Sequence, residues 1–433
     1  MSLSTTLYAG LSGLSATSQS ISVTSDNIAN VNTVGFRASR SQFEDLLSRS
    51  IVGVGDLGNG THLARIEKLF SQGAIIGSAR STDLAINGRG FFVLNGTHNG
   101  LTGNFYTRAG LFSSDRDGYL TNGDGMRVQG FTADSNGNIG STLGDIRVAE
   151  SISAPQATSR VDLRLILNSA DDVPVIPGGF DVTDPDNSSN WSNSVTVYDS
   201  LGAAHTVKIH YTRTGPNDWE WNAVVDGGEL TGGTAGTPQI IASGTVGFTS
   251  DGRLDTETRA ATPGGINFVN ATANQIIDFD FGSSLTTDGG TGEGSTGFAD
   301  QDFSVSSIDQ DGYQTGLFQD LQVDQHGVVV ASYTNGQRVT LARVALADFR
   351  SPEGLMRTGN TMFRETTVSG EAFIGYANTG GRGEIRGGAL EMSNVDLSTE
   401  FVRLINDQRA FQAASRTITT ADELLAETIN IKR

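Results

Sequence analysis

The side chains best equipped for chemistry in this 433-residue chain are its carboxylates, and their spacing singles out none of them. Asp115-Arg116-Asp117-Gly118 and Asp309-Gln310-Asp311-Gly312 begin like calcium loops. Neither has a glycine at the sixth loop position, and the first has Met126 where a bidentate glutamate belongs. Asp-Gly turns account for both better. Gly53-Val54-Gly55-Asp56-Leu57-Gly58 spells a dinucleotide fingerprint. It lacks the preceding strand and the helix opening at its last glycine that would hold a pyrophosphate. The lysines are Lys68, Lys208 and Lys432, none after a glycine, so no phosphate-cradling Walker loop exists. His205 and His210 are five apart, on opposite faces of a strand, and do not share a metal. Neither an HExxH helix nor a G-x-S-x-G elbow occurs. Absence of cysteine excludes a disulfide frame, thiolate zinc and thiol chemistry. The pattern predicts a non-enzymatic protein with no cofactor and no metal.

With no site to position, the elements themselves carry the information. At the start, Leu7, Leu14, Ile21 and Ile28 recur every seven residues, with Leu3, Gly10, Thr17 and Thr24 in a second row. At the end, Leu397, Leu404, Phe411, Ile418 and Leu425 recur likewise, with Phe401, Gln408, Ser415, Asp422 and Ile429 offset. Residues seven apart share a helical face, and sustained heptads predict coiled-coil packing of two terminal helices. Asn394 or Asp396 is placed to cap the second helix. The first helix is rich in Ser, Thr and Gly, which have low helix propensity. The pair therefore reads as marginal alone and completed by neighbouring copies; a helical hairpin closing a monomer is the plainer alternative.

Between the ends the period becomes two. Asp83 to Leu94 reads as strand, Asn-Gly turn, strand. Val207, Ile209 and Tyr211 alternate with polar residues and, after Gly215-Pro216-Asn217-Asp218, so do Trp219, Trp221 and Ala223, predicting a hairpin with one buried face. The 55 glycines and the Asn-Gly and Asp-Gly pairs, such as Asn87-Gly88, Asp117-Gly118 and Asn335-Gly336, predict many type I′ turns. The fold class is α+β, mostly β: paired terminal α-helices with two nested β-rich domains. Composition shifts at Ala154-Pro155 and in the Gly/Ser/Thr-rich run from Gly282 to Gly297 set the expected boundaries. These are an N-terminal helix over 1–34, an inner β-domain over 35–154 and 301–390, an inserted outer β-domain over 155–300, and a C-terminal helix over 391–433.

Charge is concentrated in the middle. Residues 160–330 hold 24 acidic and 6 basic side chains, −18 of the total −19. Nucleic acid requires a basic face, so it is excluded as a partner; the acidic body suits a surface kept soluble among its own kind. No stretch approaches the ~18 apolar residues of a membrane span. The first basic residue is Arg37 and no short apolar core precedes a cleavage site, so no cleaved signal peptide is expected.

At these same positions the chain resembles the flagellar rod–hook axial proteins. The likeness runs through LYAGLSGL (7–14), SDNIAN (25–30), NTVGF (32–36), TDLAINGRGFFVL (82–94), YTRAG (106–110), GALEMSNVDL (388–397), EFVRLINDQRAF (400–411) and SRTITTADE (415–423). Ser25-Asp26 and Ala414 depart from the usual pattern without removing a heptad position. VYDSLG (197–202), His205, Trp219 and Asp226-Gly227 resemble the outer domain of the hook branch. The distal rod branch is shorter and remains the near alternative; a secreted carbohydrate-binding β-protein is the distant one. The resemblance implies a structural subunit, exported unfolded through the flagellar type III apparatus, that polymerises with copies of itself into an extracellular tube forming a flexible joint. It further implies rod and hook–filament junction proteins as end partners, and the hook cap and export apparatus as transient ones. The assembly interface expected from the two heptad patterns is Leu7, Leu14, Ile21, Ile28, Leu397, Phe401, Leu404, Phe411, Ile418 and Leu425.

Overall fold

The structure, a computed structural model, describes residues 3–51, 55–134, 137–148, 152–174, 179–261 and 265–431. Strands dominate, and the two helices stand at the ends: α1 (Leu3–Ala29) and α2 (Leu397–Ile431). The chain forms two compact units. One takes in residues 1–150, 319–332 and 338–433; the other residues 151–318 and 333–337.

The first unit contains both helices, a long antiparallel hairpin of β1 (Ser39–Ile51) and β2 (Gly55–Lys68), and a large sheet. In that sheet Phe91–His98 pairs with Leu101–Thr107 and with Arg127–Ala133. The FFVL run explains why the strand lies at the centre. Phe92 and Leu94 enter one core with Leu84, Phe105 and Val128, while Phe91 and Val93 enter a second with Tyr106, Phe349 and Phe363. A period-two strand buried on both faces needs apolar residues at every position.

Asp83–Leu94 differs from the expected hairpin. Leu84–Asn87 pairs with Glu384–Gly387, not with the strand that follows it. Gly88 (φ 110°) and Gly90 (φ 121°) lead the chain out of the first pairing, and the Gly88 N–H donates to Gln72 Oε1 at 3.0 Å. The turn chemistry differs as well. Asn99-Gly100 has positive φ at both residues, as a type I′ turn requires. At Asp117-Gly118 and Asn335-Gly336 only the glycine is positive. There an acid or amide two residues before the glycine pair, or at its first position, organises the turn. Asp115 Oδ1 accepts the N–H groups of Asp117 and Tyr119 at 2.9 and 2.7 Å, and Asn335 Oδ1 accepts that of Gln337 at 3.1 Å.

The second unit is built on a five-stranded antiparallel meander running from Trp191–Tyr198 to Leu254–Ala261. Its predicted hairpin is present: Ala204–Gly215 pairs with Asp218–Asp226, and Asn217 takes the left-handed φ of 67°. Val207, Ile209, Tyr211, Trp219, Trp221 and Ala223 all enter one core with Val161, Leu163, Leu165 and Leu167. The second junction lies beyond 300. Ser304–Gln310 pairs antiparallel with Arg160–Asn168, so the chain leaves this unit at 318. Compositional change marks the glycine-rich loop, while the boundary is set by the last strand that finds a partner.

Candidate assembly interface

Asp396 caps α2: its Oδ1 accepts the Thr399 N–H at 2.7 Å, and that bond first of all holds its carboxyl below the usual range. Asn394 has another task. Its Oδ1 accepts the Ala38 N–H at 2.8 Å, and its Nδ2 donates to the Leu69 and Ser71 carbonyls at 2.8 and 3.1 Å. The amide thus ties the approach to α2 to the segments flanking the β1–β2 hairpin.

The helices pack side by side in opposite directions. Asn27 stands opposite Glu400 (Nδ2 to Oε2, 3.1 Å), Ser20 opposite Asp407 (Oγ to Oδ2, 2.7 Å), and Gly13 and Gly10 opposite Ala414 and Ile418. An ideal Cβ on Gly10 would fall 2.9 Å from Ile418 Cγ1, so glycine is what permits the approach. The seam on α1 is therefore small and polar. Gly10, Ser20, Thr24 and Asn27 are buried, and the Thr17 hydroxyl is satisfied by the Gly13 carbonyl at 2.8 Å. Along α2 the same contact takes in Glu400, Asp407, Ala414 and Ile418. Burying Ser20, Asn27, Glu400 and Asp407 is tolerated because they bond one another across the seam. Glu400 is held by Asn27 and by Arg403 at 2.7 Å.

Leu7, Leu14, Ile21 and Ile28 are half-buried, each one position beyond a seam residue or its heptad equivalent. Leu404, Phe411, Ile418 and Leu425 are half-buried on α2, and Leu397 and Phe401 are exposed. The structure thus brings Ile418 against Gly10 and leaves the leucine–isoleucine row of α1 flanking the seam. Gly10 stood in the second heptad row of the sequence reading, whereas Gly13, Ser20, Asn27 and Asp407 escaped it because a search for apolar repeats passes over them. Their three-and-four spacing was the available signal. The other side of α1 meets the hairpin: the Thr61 N–H donates to Ser12 Oγ at 3.1 Å, and a Cβ on Gly60 would fall 3.1 Å from Ala9 Cα.

Beneath the helices lies a buried charge cluster. Glu391 is fully buried; its Oε1 accepts Arg37 Nη2 at 2.7 Å and the Gly73 N–H at 3.0 Å, and its Oε2 accepts Arg108 Nη1 at 3.1 Å. Arg108 also donates to the Gly88 carbonyl at 2.7 Å. Burial draws the Arg108 guanidinium down to about 10, against the opposing pull of Glu391. Arg37 follows α1 and Glu391 precedes α2, so one carboxylate gathers both helix roots onto the sheet. Arg357 adds an outer tie, reaching Asp26 Oδ2 at 3.1 Å while stacking 4.8 Å over Phe36.

Terminal helices joined through polar contacts and rooted in a β-rich body leave large apolar side chains such as Phe401 and Ile405 exposed. The family comparisons identify the kind of protein. The model described as "Flagella basal body rod protein" matches residues 7–37, and "Flagellar hook protein FlgE/F/G D1 domain" matches 85–164. "Flagellar basal body protein FlaE D2 domain" matches 166–313, and "Flagellar basal body rod FlgEFG protein C-terminal" matches 386–431. The chain is 34% identical to the flagellar hook protein FlgE of Borreliella burgdorferi, over 98% of this chain and 99% of that one. It is 32% identical to that of Salmonella typhimurium and 30% to that of Escherichia coli, each over 98% of both chains. The chain belongs to the flagellar hook protein family and is a structural subunit of the bacterial flagellar hook.

Proposed function

We propose that copies of this chain polymerise into a tubular, flexible extracellular joint carrying torque from rod to filament. In this reading the terminal helices form a coiled-coil inner wall and the two nested β-domains form outer layers. The observation that carries it is the division of labour on the helices. Small and polar residues join α1 to α2 within one chain, while large apolar ones stay open, with Tyr8 65%, Leu11 57%, Phe401 49% and Ile405 48% exposed. Exposed apolar surface of this kind on a helix marks a contact still to be made. Leu7, Leu14, Ile21, Ile28, Leu397 and Phe401 are the proposed contacts between copies; Leu404, Phe411, Ile418 and Leu425 support them from within the pair. The acidic middle, at −18, keeps the outer layer hydrated so that neighbouring subunits slide as the joint bends. Export is in the unfolded state, and rod, hook–filament junction, cap and export proteins are the other partners.

Phe401→Asp tests the reading. All three tryptophans (Trp191, Trp219, Trp221) lie in the second unit, so unchanged tryptophan fluorescence reports that unit intact. Electron microscopy should then show no tubes from the variant under conditions where the parent assembles. Normal tubes would refute the helix-mediated interface.

A further inference from the structure

We propose that Asn99-Gly100 is a self-modifying site: the Gly100 nitrogen closes on the Asn99 side chain, His98 serves the departing amine, and water opens the ring to aspartate and isoaspartate. The pair forms the tip of the hairpin joining Phe91–His98 to Leu101–Thr107, whose ladder closes at His98 and Leu101. Neither turn residue belongs to that ladder, so the Gly100 N–H is available as a nucleophile. Both residues are exposed and left-handed, with φ of 50° and 76°, and an ideal Cβ on Gly100 meets nothing within 4 Å. The chain has room to fold back on itself there.

The side chain is held by its leaving group. Asn99 Nδ2 lies 3.1 Å from His98 Nε2 and donates to the Thr358 carbonyl at 3.2 Å, while among the described residues no hydrogen bond holds its Oδ1. The other described Asn-Gly pairs are locked. Asn122 Oδ1 accepts the Asp124 and Met126 N–H groups at 3.1 and 2.9 Å. Asn335 Oδ1 accepts the Gln337 N–H at 3.1 Å, and its Nδ2 donates to the Gln314 carbonyl at 2.9 Å. Gly88 gives its N–H to Gln72 at 3.0 Å, Gly96 is paired with Gly103, and Gly60 is pressed against α1, where a Cβ would fall 3.1 Å from Ala9 Cα. Among these pairs, Asn99-Gly100 alone combines an open carbonyl, an unpaired nucleophile and an adjacent imidazole.

The chemistry balances with water as the sole co-reactant. The Gly100 nitrogen loses its proton and bonds to Asn99 Cγ. The Cγ–Nδ2 bond breaks, and Nδ2 leaves as ammonia, taking up a proton through the His98 ring beside it. Water then adds to either carbonyl of the cyclic imide. Opening at Cγ gives aspartate; opening at the main-chain carbonyl gives isoaspartate, with an extra carbon in the backbone. Either product sets a carboxylate against the Thr358 carbonyl where an amide had donated, so the hairpin tip loses that tie to the Met356–Gly359 strand. The reaction needs no partner and does not reverse, so each copy carries a mark of its age at this turn.

The experiment ages the purified full chain in neutral buffer and reads each Asn-Gly pair by peptide mass spectrometry, with isoaspartyl methyltransferase labelling to count isoaspartate. Asn99 should convert at least about tenfold faster than Asn122, whose side-chain hydrogen bonds must break first. In urea the two rates should converge, because the turn is gone. His98→Gln should slow Asn99 by about tenfold or more, leave Asn122 unchanged, and regain speed with imidazole added to the buffer. Asn99 converting no faster than Asn122 in the folded chain overturns the proposal. A gap that persists in urea overturns it too, by tracing the rate to local sequence. So does a His98→Gln variant, folded by circular dichroism, that ages at the parental rate or whose slower rate imidazole fails to restore.

Discussion

Arg37 and Glu391, 354 positions apart in the chain, meet through a 2.7 Å ion pair with side chains 1% and 0% exposed. Ion pairs this dry contribute little net stability when intact, since desolvation offsets attraction, but losing one partner strands the other. Here the stranded groups would be two guanidiniums, because Arg108 shares the same carboxylate. Glu391→Gln should therefore lower the stability of the helix-bearing unit by about 3–5 kcal/mol. Far-UV circular dichroism in urea should register the shift, while the tryptophan transition of the other unit stays in place.

Gly10 tests the closeness of the helix pair. Gly10→Val brings branched carbon to where a Cβ already falls 2.9 Å from Ile418 Cγ1, and overpacking of this kind costs roughly 1–3 kcal/mol. Amide exchange along α1 should quicken. Equal protection in variant and parent would show that the seam opens without cost.

Asp115 distinguishes a turn from a calcium loop. Its Oδ1 is already engaged by the N–H groups of Asp117 and Tyr119. Millimolar calcium or a chelator should leave the melting temperature unchanged, whereas Asp115→Ala should cost about 1–2 kcal/mol through two lost hydrogen bonds. A calcium-dependent rise in melting temperature would reinstate the metal reading.

His210 gives the second unit a dependence on acid. Burial, reinforced by Lys208 and opposed by Asp186, holds the imidazole below its ordinary 6.5; Ser189 Oγ lies 3.0 Å from Nδ1, and among the described residues the buried Nε2 meets no hydrogen-bond partner. A base whose folded value is depressed binds fewer protons folded than unfolded. Its contribution is therefore complete above about 6.5 and is lost as pH falls through that value toward the lower folded one. Urea titrations followed by tryptophan fluorescence should show a midpoint that falls as the pH drops below about 6.5. His210→Asn should flatten that limb.

What was legible in the sequence was local. The seven-residue repeats of Leu7–Ile28 and Leu397–Leu425 announced terminal helices, and the alternation through Val207–Tyr211 and Trp219–Ala223 announced a hairpin that the second unit contains. Those periodicities arise from backbone geometry over a few residues, which every stretch of sequence carries with it. Tertiary structure decided which faces meet. Gly10, Ser20 and Asn27 gain their meaning only opposite Ile418, Asp407 and Glu400, since hydrogen-bonding and small residues leave no hydropathy signal until a partner stands against them. Likewise Leu84–Asn87 chose Glu384–Gly387 over its neighbour, and Glu391 chose Arg37 and Arg108. Such pairings are settled by burial and complementarity across hundreds of residues, a competition that no local spacing encodes.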